Sequence, residues 1–311
     1  MTRSQARASE AAGAPRRRFL VVANPTAGSK GRTIVTRVAE AMARRGAVVE
    51  ISETATIAEM RQAIARTERV DAVVAAGGDG TIRALAAEVE AAATPLGIIP
   101  IGTGNVMARE IGLGFDADAI AATLTSGPVL DIEGARANGA PFFLMAGAGF
   151  DAEIVKWLSA PLKRLVGRAA YSVPTLQVLA RPLPALEVEV DGHKHTAAWV
   201  VVTRARRYGG AFVIARHASL ARGDLIAVLF KPGSRVALVR QMLALAAGRI
   251  DGAAGVVHVA CERVTVRSAA ASAVEIDGDV HGTTPLEITA GGPHLRLIVP
   301  DAYACTGIAG R

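Results

Sequence analysis

The chain has few cysteines and few aromatic residues, and each shortage excludes a class of protein. Two cysteines, Cys261 and Cys305, occur far apart among 311 residues, so a disulfide framework is not expected. The six histidines lack zinc-ligand spacing, and we expect a reducing, cytoplasmic setting. Aromatic residues make up 4% of the chain. The stacking platforms of nucleic-acid-binding proteins are therefore missing, and no nucleic-acid partner is expected.

Long apolar runs are also absent. Apolar residues make up 51% of the chain, but none of their unbroken runs reaches the ~18 residues that a membrane-spanning helix needs. The net charge of +7 is concentrated at the start, where five arginines and one acid, Glu10, lie within the first eighteen residues. This segment lacks the apolar centre of a secretory signal. We expect residues 1–17 to form a disordered basic tail, with a weak anchor to anionic lipid as the alternative.

The order of apolar runs predicts two domains. From residue 18 to residue 130, short apolar runs alternate with stretches of helical spacing, which predicts a doubly wound parallel α/β sheet. Residues 131–290 contain many short apolar runs, which predict a mostly antiparallel β-sandwich domain. Helical stretches interrupt that pattern at 151–179 and 235–247. We expect residues 291–311 to return to the first domain.

Three glycine-containing loops follow predicted strands of the first domain. They are Asn24–Gly28, Gly77–Thr81 and Gly102–Asn105. In an open parallel sheet, ligands bind at the carboxyl ends of the strands. Each loop leads into a predicted helix, whose first N–H groups attract anions, and small residues let a phosphate approach the backbone. One such loop would be weak evidence, but three in succession predict a phosphate-binding site.

Carboxylates accompany these loops and recur late in the chain. Asp79 would repel a bare phosphate, so it is expected to handle Mg²⁺ or a proton, with a simple turn aspartate as the alternative. Asp277 and Asp279 flank a glycine. On an extended strand both would face one side, and the alternative is a β-turn.

These motifs resemble the diacylglycerol kinase catalytic family, which includes bacterial lipid kinases, sphingosine kinases and ceramide kinases. The likeness runs from Phe19 to the end in the family's order, and it also includes Ala146–Asp151, Leu162–Tyr171 and Tyr208–Phe212. The Gly-Gly-Asp-Gly-Thr string alone is shared with NAD kinases and phosphofructokinases. The resemblance implies a nucleotide-binding domain of that type, followed by a β-rich domain for the lipid substrate.

The resemblance also implies ATP and Mg²⁺ as cofactors and assigns residues to them. The nucleotide-binding residues would be Asn24, Pro25, Thr26, Ala27, Gly28, Thr54, Gly77, Gly78, Asp79, Gly80, Thr81, Ile82, Arg83, Thr103 and Asn105. Asp79 would hold the Mg²⁺ that arrives with the nucleotide. Asp279 is favoured as the proton acceptor for the lipid hydroxyl, and Asp277 would assist or share that role. In the sphingosine kinase branch the equivalent of Asp79 has it instead, so the acceptor is one of these three carboxylates.

Three positions depart from the family pattern. Val106 replaces the usual acidic residue after the third loop, and Asp279 replaces a longer glutamate. Arg222 replaces an aspartate that binds a structural Mg²⁺ in several bacterial relatives. Because arginine cannot ligate Mg²⁺, we expect that second metal to be absent or its charge to be supplied by the guanidinium.

A basic amphipathic pattern follows the start of the second domain. Lys156, Lys163, Arg164 and Arg168 collect on one helical face, and apolar residues collect on another, which suits an anionic membrane surface. A helix packed on the β domain with a solvated basic face explains the pattern equally well.

The expected protein is a lipid kinase at the inner face of the membrane. A kinase of a soluble substrate such as NAD and a weakly catalytic lipid-binding regulator are the alternatives, and the acceptor lipid and a homodimer are left open.

Overall fold

The computed structural model describes residues 15–309 except 26–27, 68, 91–92, 158–174, 176, 179–184, 211 and 232–233. The chain divides into two units. The first contains the described residues up to Glu133 and from Pro293 onward, and the second is Gly134–Gly292. The helices of the described residues are α1 (Gly28–Arg44), α2 (Ile57–Arg66), α3 (Asp79–Val89), α4 (Val106–Glu110), α5 (Ala117–Ser126), α6 (Phe150–Trp157), α7 (Arg235–Ala246) and α8 (Asp301–Ala309).

The strands of the described residues follow, in chain order. They are β1 (Arg18–Ala23), β2 (Val48–Glu53), β3 (Ala72–Gly77), β4 (Leu96–Pro100), β5 (Val129–Ala137), β6 (Ala140–Phe142), β7 (Met145–Gly149), β8 (Leu186–Val190), β9 (His193–Ala197), β10 (Trp199–Thr203), β11 (Arg207–Tyr208), β12 (Phe212–Val213), β13 (Leu225–Phe230), β14 (Val256–Cys261), β15 (Arg263–Ser268), β16 (Ala273–Ile276), β17 (Asp279–Thr283) and β18 (Leu286–Ile298).

Parallel strands form the centre of the first unit, in the order β2-β1-β3-β4. β3 and β4 are buried along their whole length, as expected for strands that are covered on both faces. The register pairs Ala23 with Ala76 and with Glu53, and it pairs Gly77 with Pro100. The four strands therefore end at one edge of the sheet, and the predicted parallel α/β architecture is confirmed.

The helices of the first unit follow from apolar spacing and end signals. α1 buries Val35, Val38 and Met42, which recur at helical intervals and cover the sheet. α2 starts with a capping box, in which the Thr56 hydroxyl accepts from the Glu59 N–H and the Glu59 carboxylate accepts from the Thr56 N–H, satisfying donors that a helix start leaves open. Among the described residues, none of the helices is long and apolar enough to span a bilayer.

Antiparallel strands form the second unit. Six of them pair in the order β14-β13-β10-β7-β16-β17. β15 pairs with both β18 and β8, and β8 pairs with β9, all antiparallel. Inward-facing apolar side chains such as Val188, Val200 and Ile288 fill the core between these strands. The predicted β-sandwich is confirmed.

The structure gives the bounds of the elements within the later apolar runs and helical stretches. The apolar run 142–146 is divided between two strands, because β6 ends at Phe142 and β7 begins at Met145. Residues 295–298 form the end of the long strand β18. Within the predicted helical stretch 151–179, α6 ends at Trp157, and most of the remainder lies outside the described residues.

Candidate functional site

The glycine-containing loops meet at the carboxyl edge of the parallel sheet. The Asn24 N–H donates to the Ala76 carbonyl at 3.0 Å, and the Ile101 N–H donates to the Gly77 carbonyl at 3.2 Å. These bonds extend the strand ladder just beyond the strand ends, so the loops start side by side. Thr26 and Ala27 lie outside the described residues, and Gly28 begins α1.

The second and third loops touch through glycine backbones. A Cβ on Gly102 would lie 2.5 Å from the Gly78 Cα and 2.8 Å from the Asn105 Oδ1, so no other residue fits at Gly102 without a shift. Asn105 fixes the loop by accepting from the Gly102 N–H at 2.9 Å and donating to the Gly102 carbonyl at 2.7 Å. Asn105 has φ 48°, a left-handed conformation that asparagine tolerates better than most residues. The third loop is thus held rigidly against the second.

The start of α3 presents backbone N–H groups at this edge. α3 begins directly after Gly78, whose lack of a side chain leaves the N-cap position without a side-chain hydrogen bond to the first turn. Such a helix end carries partial positive charge and binds anions. Thr81 and Ile82 have buried side chains, whereas Gly80 and Thr103 are exposed. Any ligand contact by Ile82 is therefore through its backbone.

Asp79 joins the second loop to α4. Its Oδ2 accepts from the Val106 N–H at 3.0 Å, and its Oδ1 accepts from the Met107 N–H at 2.9 Å. The carboxylate thus stabilises a helix start with complementary charge. The negative charge of Asp79 is therefore already stabilised by two N–H donors, in addition to any metal or proton that it would hold in the family's mechanism. The assignment of Asp79 as metal ligand or proton acceptor stays a prediction.

The family resemblance implies a magnesium ion, and the described residues fit an ion that binds together with the nucleotide. Within the described ranges, no group of three or more His, Cys, Asp or Glu side chains is placed to hold a metal. Mg²⁺ often binds through one or two carboxylates together with substrate phosphates and waters. Asp79 therefore fits an ion that arrives on the nucleotide, and not a site built from protein side chains alone.

Thr54 follows β2 at the same edge. Its N–H donates to the Ala23 carbonyl at 3.0 Å, and its side chain is buried at 2% exposure. Its Oγ1 has no hydrogen-bond partner among the described residues. A buried hydroxyl without a partner is costly, and a ligand acceptor at this position would remove that cost.

Asp277 and Gly278 form a tight turn. β16 ends at Ile276 and β17 begins at Asp279, which pairs with Ile276. Asp277 and Gly278 have φ of 49° and 84°, the positive values of a two-residue hairpin turn. The prediction that Asp277 and Asp279 face one side of an extended strand is therefore wrong, because both turn residues leave the extended region. Asp279 is exposed at the start of β17.

The Asp277 carboxylate holds the segment between β6 and β7. Its Oδ1 accepts from the N–H groups of Leu144 and Met145, each at 3.0 Å, and its Oδ2 accepts from the Phe143 N–H at 3.3 Å. The Asp277 N–H donates back to the Met145 carbonyl at 2.8 Å. These bonds explain why β6 and β7 are not one continuous strand. Asp277 is anchored by the backbone of a neighbouring segment.

Two buried carboxyl groups beside this turn were not predicted as site residues. The Glu275 Oε2 accepts from the Gly278 N–H at 2.8 Å, and burial, followed by the charge of Asp151, raises the pKa of Glu275 well above its usual range. Burial also raises the pKa of Asp151 to about 6, and a hydrogen bond from Tyr208 opposes that rise. A carboxylate placed within an otherwise apolar strand, Val274-Glu275-Ile276, was the available signal in the sequence.

Arg222 lies where the resemblance implies a lost metal. Its Nε donates to the Asp224 Oδ2 at 3.0 Å, and its guanidinium also donates to the His217 carbonyl. The Arg222 guanidinium therefore already supplies a positive charge within this loop. The absence of a structural metal there stays a prediction.

Of the basic residues that were predicted to face the membrane, Lys163, Arg164 and Arg168 lie outside the described residues. Lys156 is exposed and lies 3.9 Å from the Glu153 carboxylate.

Comparisons with known proteins agree with this architecture. Residues 18–137 match the family model described as the diacylglycerol kinase catalytic domain. Residues 145–301 match the model described as the YegS C-terminal NAD kinase beta sandwich-like domain. The putative diacylglycerol kinase of Bacillus anthracis has a solved structure with a TM-score of 0.74 and 21% identity, covering 94% of this chain and 98% of that one. That similarity shows the fold.

Sequence relatives extend over most of the chain. A diacylglycerol kinase of Mycobacterium tuberculosis is 30% identical over 259 residues, which cover 76% of this chain and 80% of that protein. An uncharacterized protein of Synechocystis is 28% identical over 237 residues, and the match spans 54% of its length. The chain belongs to the diacylglycerol kinase family, with a catalytic domain and a YegS-type C-terminal domain, and it is a kinase.

Proposed function

We propose that this protein is an ATP-dependent lipid kinase that transfers the γ-phosphate to a hydroxyl of a diacylglycerol, a ceramide or a sphingoid base. The observation that carries the proposal is the contact between the second and third glycine loops at the carboxyl edge of the parallel sheet. The family's relatives named diacylglycerol kinase support a lipid acceptor. Peripheral association with an anionic membrane is part of the proposal, because the acceptor resides in a bilayer.

The nucleotide phosphates are proposed to bind at the start of α3. Gly78 and Gly102 have no side chains that would cover this edge, and the start of α3, whose N-cap residue is Gly78, supplies partial positive charge. Thr54 would donate its unpaired hydroxyl to the nucleotide. Mg²⁺, when bound with ATP at Asp79, would neutralise charge on the phosphates. Catalysis of phosphoryl transfer depends mainly on such positioning and charge stabilisation.

Asp279 is proposed as the proton acceptor for the lipid hydroxyl. Among the candidate carboxylates, Asp79 and Asp277 each accept backbone N–H bonds on both oxygens, which fixes them as structural anchors. Asp279 is exposed beside the turn. A carboxylate within hydrogen-bond reach of the hydroxyl would orient it and take its proton. Asp277 and Glu275 are proposed to hold the turn that presents Asp279.

The test is transfer of labelled phosphate from ATP with Mg²⁺ onto a panel of lipids in mixed micelles, with NAD as a soluble acceptor. We expect the wild type to label one class of lipid and Asp279→Asn to lower that rate by about 100-fold or more. Glu189→Gln, which changes an exposed carboxylate of β8, is the matched control and should keep full activity.

The other outcomes are distinct. Labelling of NAD in preference to every lipid would replace the lipid assignment with a soluble acceptor. ATP binding without transfer to any acceptor would favour a regulatory protein. An Asp279→Asn variant as active as Glu189→Gln would move the proton-acceptor role to another carboxylate.

A further inference from the structure

The exposed face of α7 is apolar. Val236 is 59% exposed, Val239 is 40% exposed and Leu243 is 63% exposed. Their spacing of three and four residues places them in one row along the helix. Single exposed apolar residues are ordinary on protein surfaces, but a row on one helix face marks an interaction surface.

The opposite face of α7 packs against the rest of the second unit. The helix therefore cannot rotate about its axis to bury the apolar row. Leu238 and Leu245 are buried. Gln241 is 4% exposed, and its Nε2 donates to the carbonyls of Ala254 and Gly255 at 3.5 and 3.3 Å. A buried amide that is satisfied by backbone carbonyls would lose those bonds on rotation, which is costly. The exposure of the apolar row is therefore built into the packing of the helix.

Both charged residues of α7 are basic, and the acidic residue beyond its C-terminal end, Asp251, is ion-paired with Arg216. Arg235 and Arg240 are exposed and lie next to the apolar row, and α7 contains no acidic residue. Lys231 and Arg249, near the two ends of the helix, are exposed as well. An apolar row flanked by cations is complementary to a surface with an apolar interior and anionic groups at its border.

We propose that the exposed face of α7 docks onto the surface of an anionic lipid bilayer, with Val236, Val239 and Leu243 entering the interface and Arg235 and Arg240 contacting lipid phosphates. This inference rests on the proposed function, which requires access to a membrane lipid. A second copy of the chain is a poorer occupant. A two-fold interface would place the two arginines opposite their own copies, with no carboxylate on the helix to offset them.

The test measures binding of the full chain to vesicles of phosphatidylcholine with and without phosphatidylglycerol. We expect wild-type binding to need the anionic lipid and to weaken with salt. The double variant Val239→Glu with Leu243→Glu should bind about tenfold more weakly or worse, and Arg240→Ala should bind a few-fold more weakly with a smaller salt effect. The control is Ile57→Glu, which changes a 54% exposed apolar residue of α2 in the other unit and should bind as the wild type does.

Kinase assays separate this inference from the proposed function. On a short-chain diacylglycerol below its micelle concentration, the α7 double variant should keep wild-type activity, while on vesicles it should lose about tenfold. A wild type that phosphorylates no lipid but binds vesicles through α7 would overturn the proposed function and support the docking face. A wild type that phosphorylates vesicle lipid while the α7 variants bind vesicles equally well would overturn the docking face. So would a wild-type dimer that the α7 substitutions dissociate without a change in vesicle binding.

Discussion

The contact between Gly78 and Gly102 permits a direct test of the proposed nucleotide-binding loops. In Gly102→Ala, the new Cβ would lie 2.5 Å from the Gly78 Cα, about 1 Å inside the ordinary separation of two carbon atoms. Because the Gly78 Cα belongs to the backbone and cannot turn aside as a side chain can, the loops must separate by about that distance. Overpacking of this kind costs about 1–3 kcal/mol, and a misplacement of about 1 Å near reacting groups lowers a rate by about 100-fold. We expect ATP affinity in calorimetric titration to fall at least about tenfold, with a lower free energy of unfolding in urea.

Gly104→Ala is the matched control, because it adds the same methyl group to the same loop. Its Cβ would lie 3.5 Å from the Asp79 Oδ2 and 3.8 Å from the Val106 Cγ2, which are ordinary contacts. We expect its ATP affinity to stay within about twofold of the wild type. If Gly102→Ala bound ATP as well as Gly104→Ala does, the close apposition of the two loops would not support nucleotide binding.

Three further predictions concern the carboxyl groups of the second unit. Asp277→Ala leaves three backbone N–H groups without their acceptor, so the free energy of unfolding in urea should fall by about 3 kcal/mol or more, and a loss below about 1 kcal/mol would contradict the anchoring role. Because burial raises the pKa of Asp151 to about 6, the native state keeps a proton that the unfolded chain releases near pH ~4. The free energy of unfolding should therefore fall by about 3 kcal/mol as pH rises from about 3 to about 7, and Asp151→Asn should flatten that profile. An unchanged slope in the variant would refute the assignment. Burial raises the pKa of Glu275 and so favours its neutral form. Glu275→Gln, which is neutral and of similar size, should therefore melt within a few degrees of the wild type, and a collapse of stability would contradict that reasoning.

The parallel sheet was predictable because each of its strands is a local signal. β3 and β4 are continuous apolar runs that are bounded by glycine and proline, which is the pattern of strands buried on both faces. The loops could be placed for the same reason, since each begins where an apolar run stops. Asp79 could be predicted from the sequence as a site residue. Its bonds to Val106 and Met107 could not, because they join residues 27 and 28 positions apart and no local pattern reveals such a pairing.

The second unit was harder to predict where tertiary packing overrides local alternation. In Val274-Glu275-Ile276, a period of two places Glu275 on the solvent side. α6 packs against β16, so β16 is buried on both faces and Glu275 becomes a buried acid. Asp277-Gly278 suits a strand end or a hairpin turn equally well, and the positive φ values that decide between them depend on the bonds from Phe143 to Met145.

The most direct test of the central claim is a competition between acceptors in one reaction. The full chain would be incubated with ATP, Mg²⁺, vesicles that contain diacylglycerol, ceramide and a sphingoid base, and free NAD, and the products would be identified by mass spectrometry. The proposed function predicts a phosphorylated lipid of one class as the product, absent when Asp279→Asn replaces the wild type. Phosphorylated NAD with no phosphorylated lipid would contradict it.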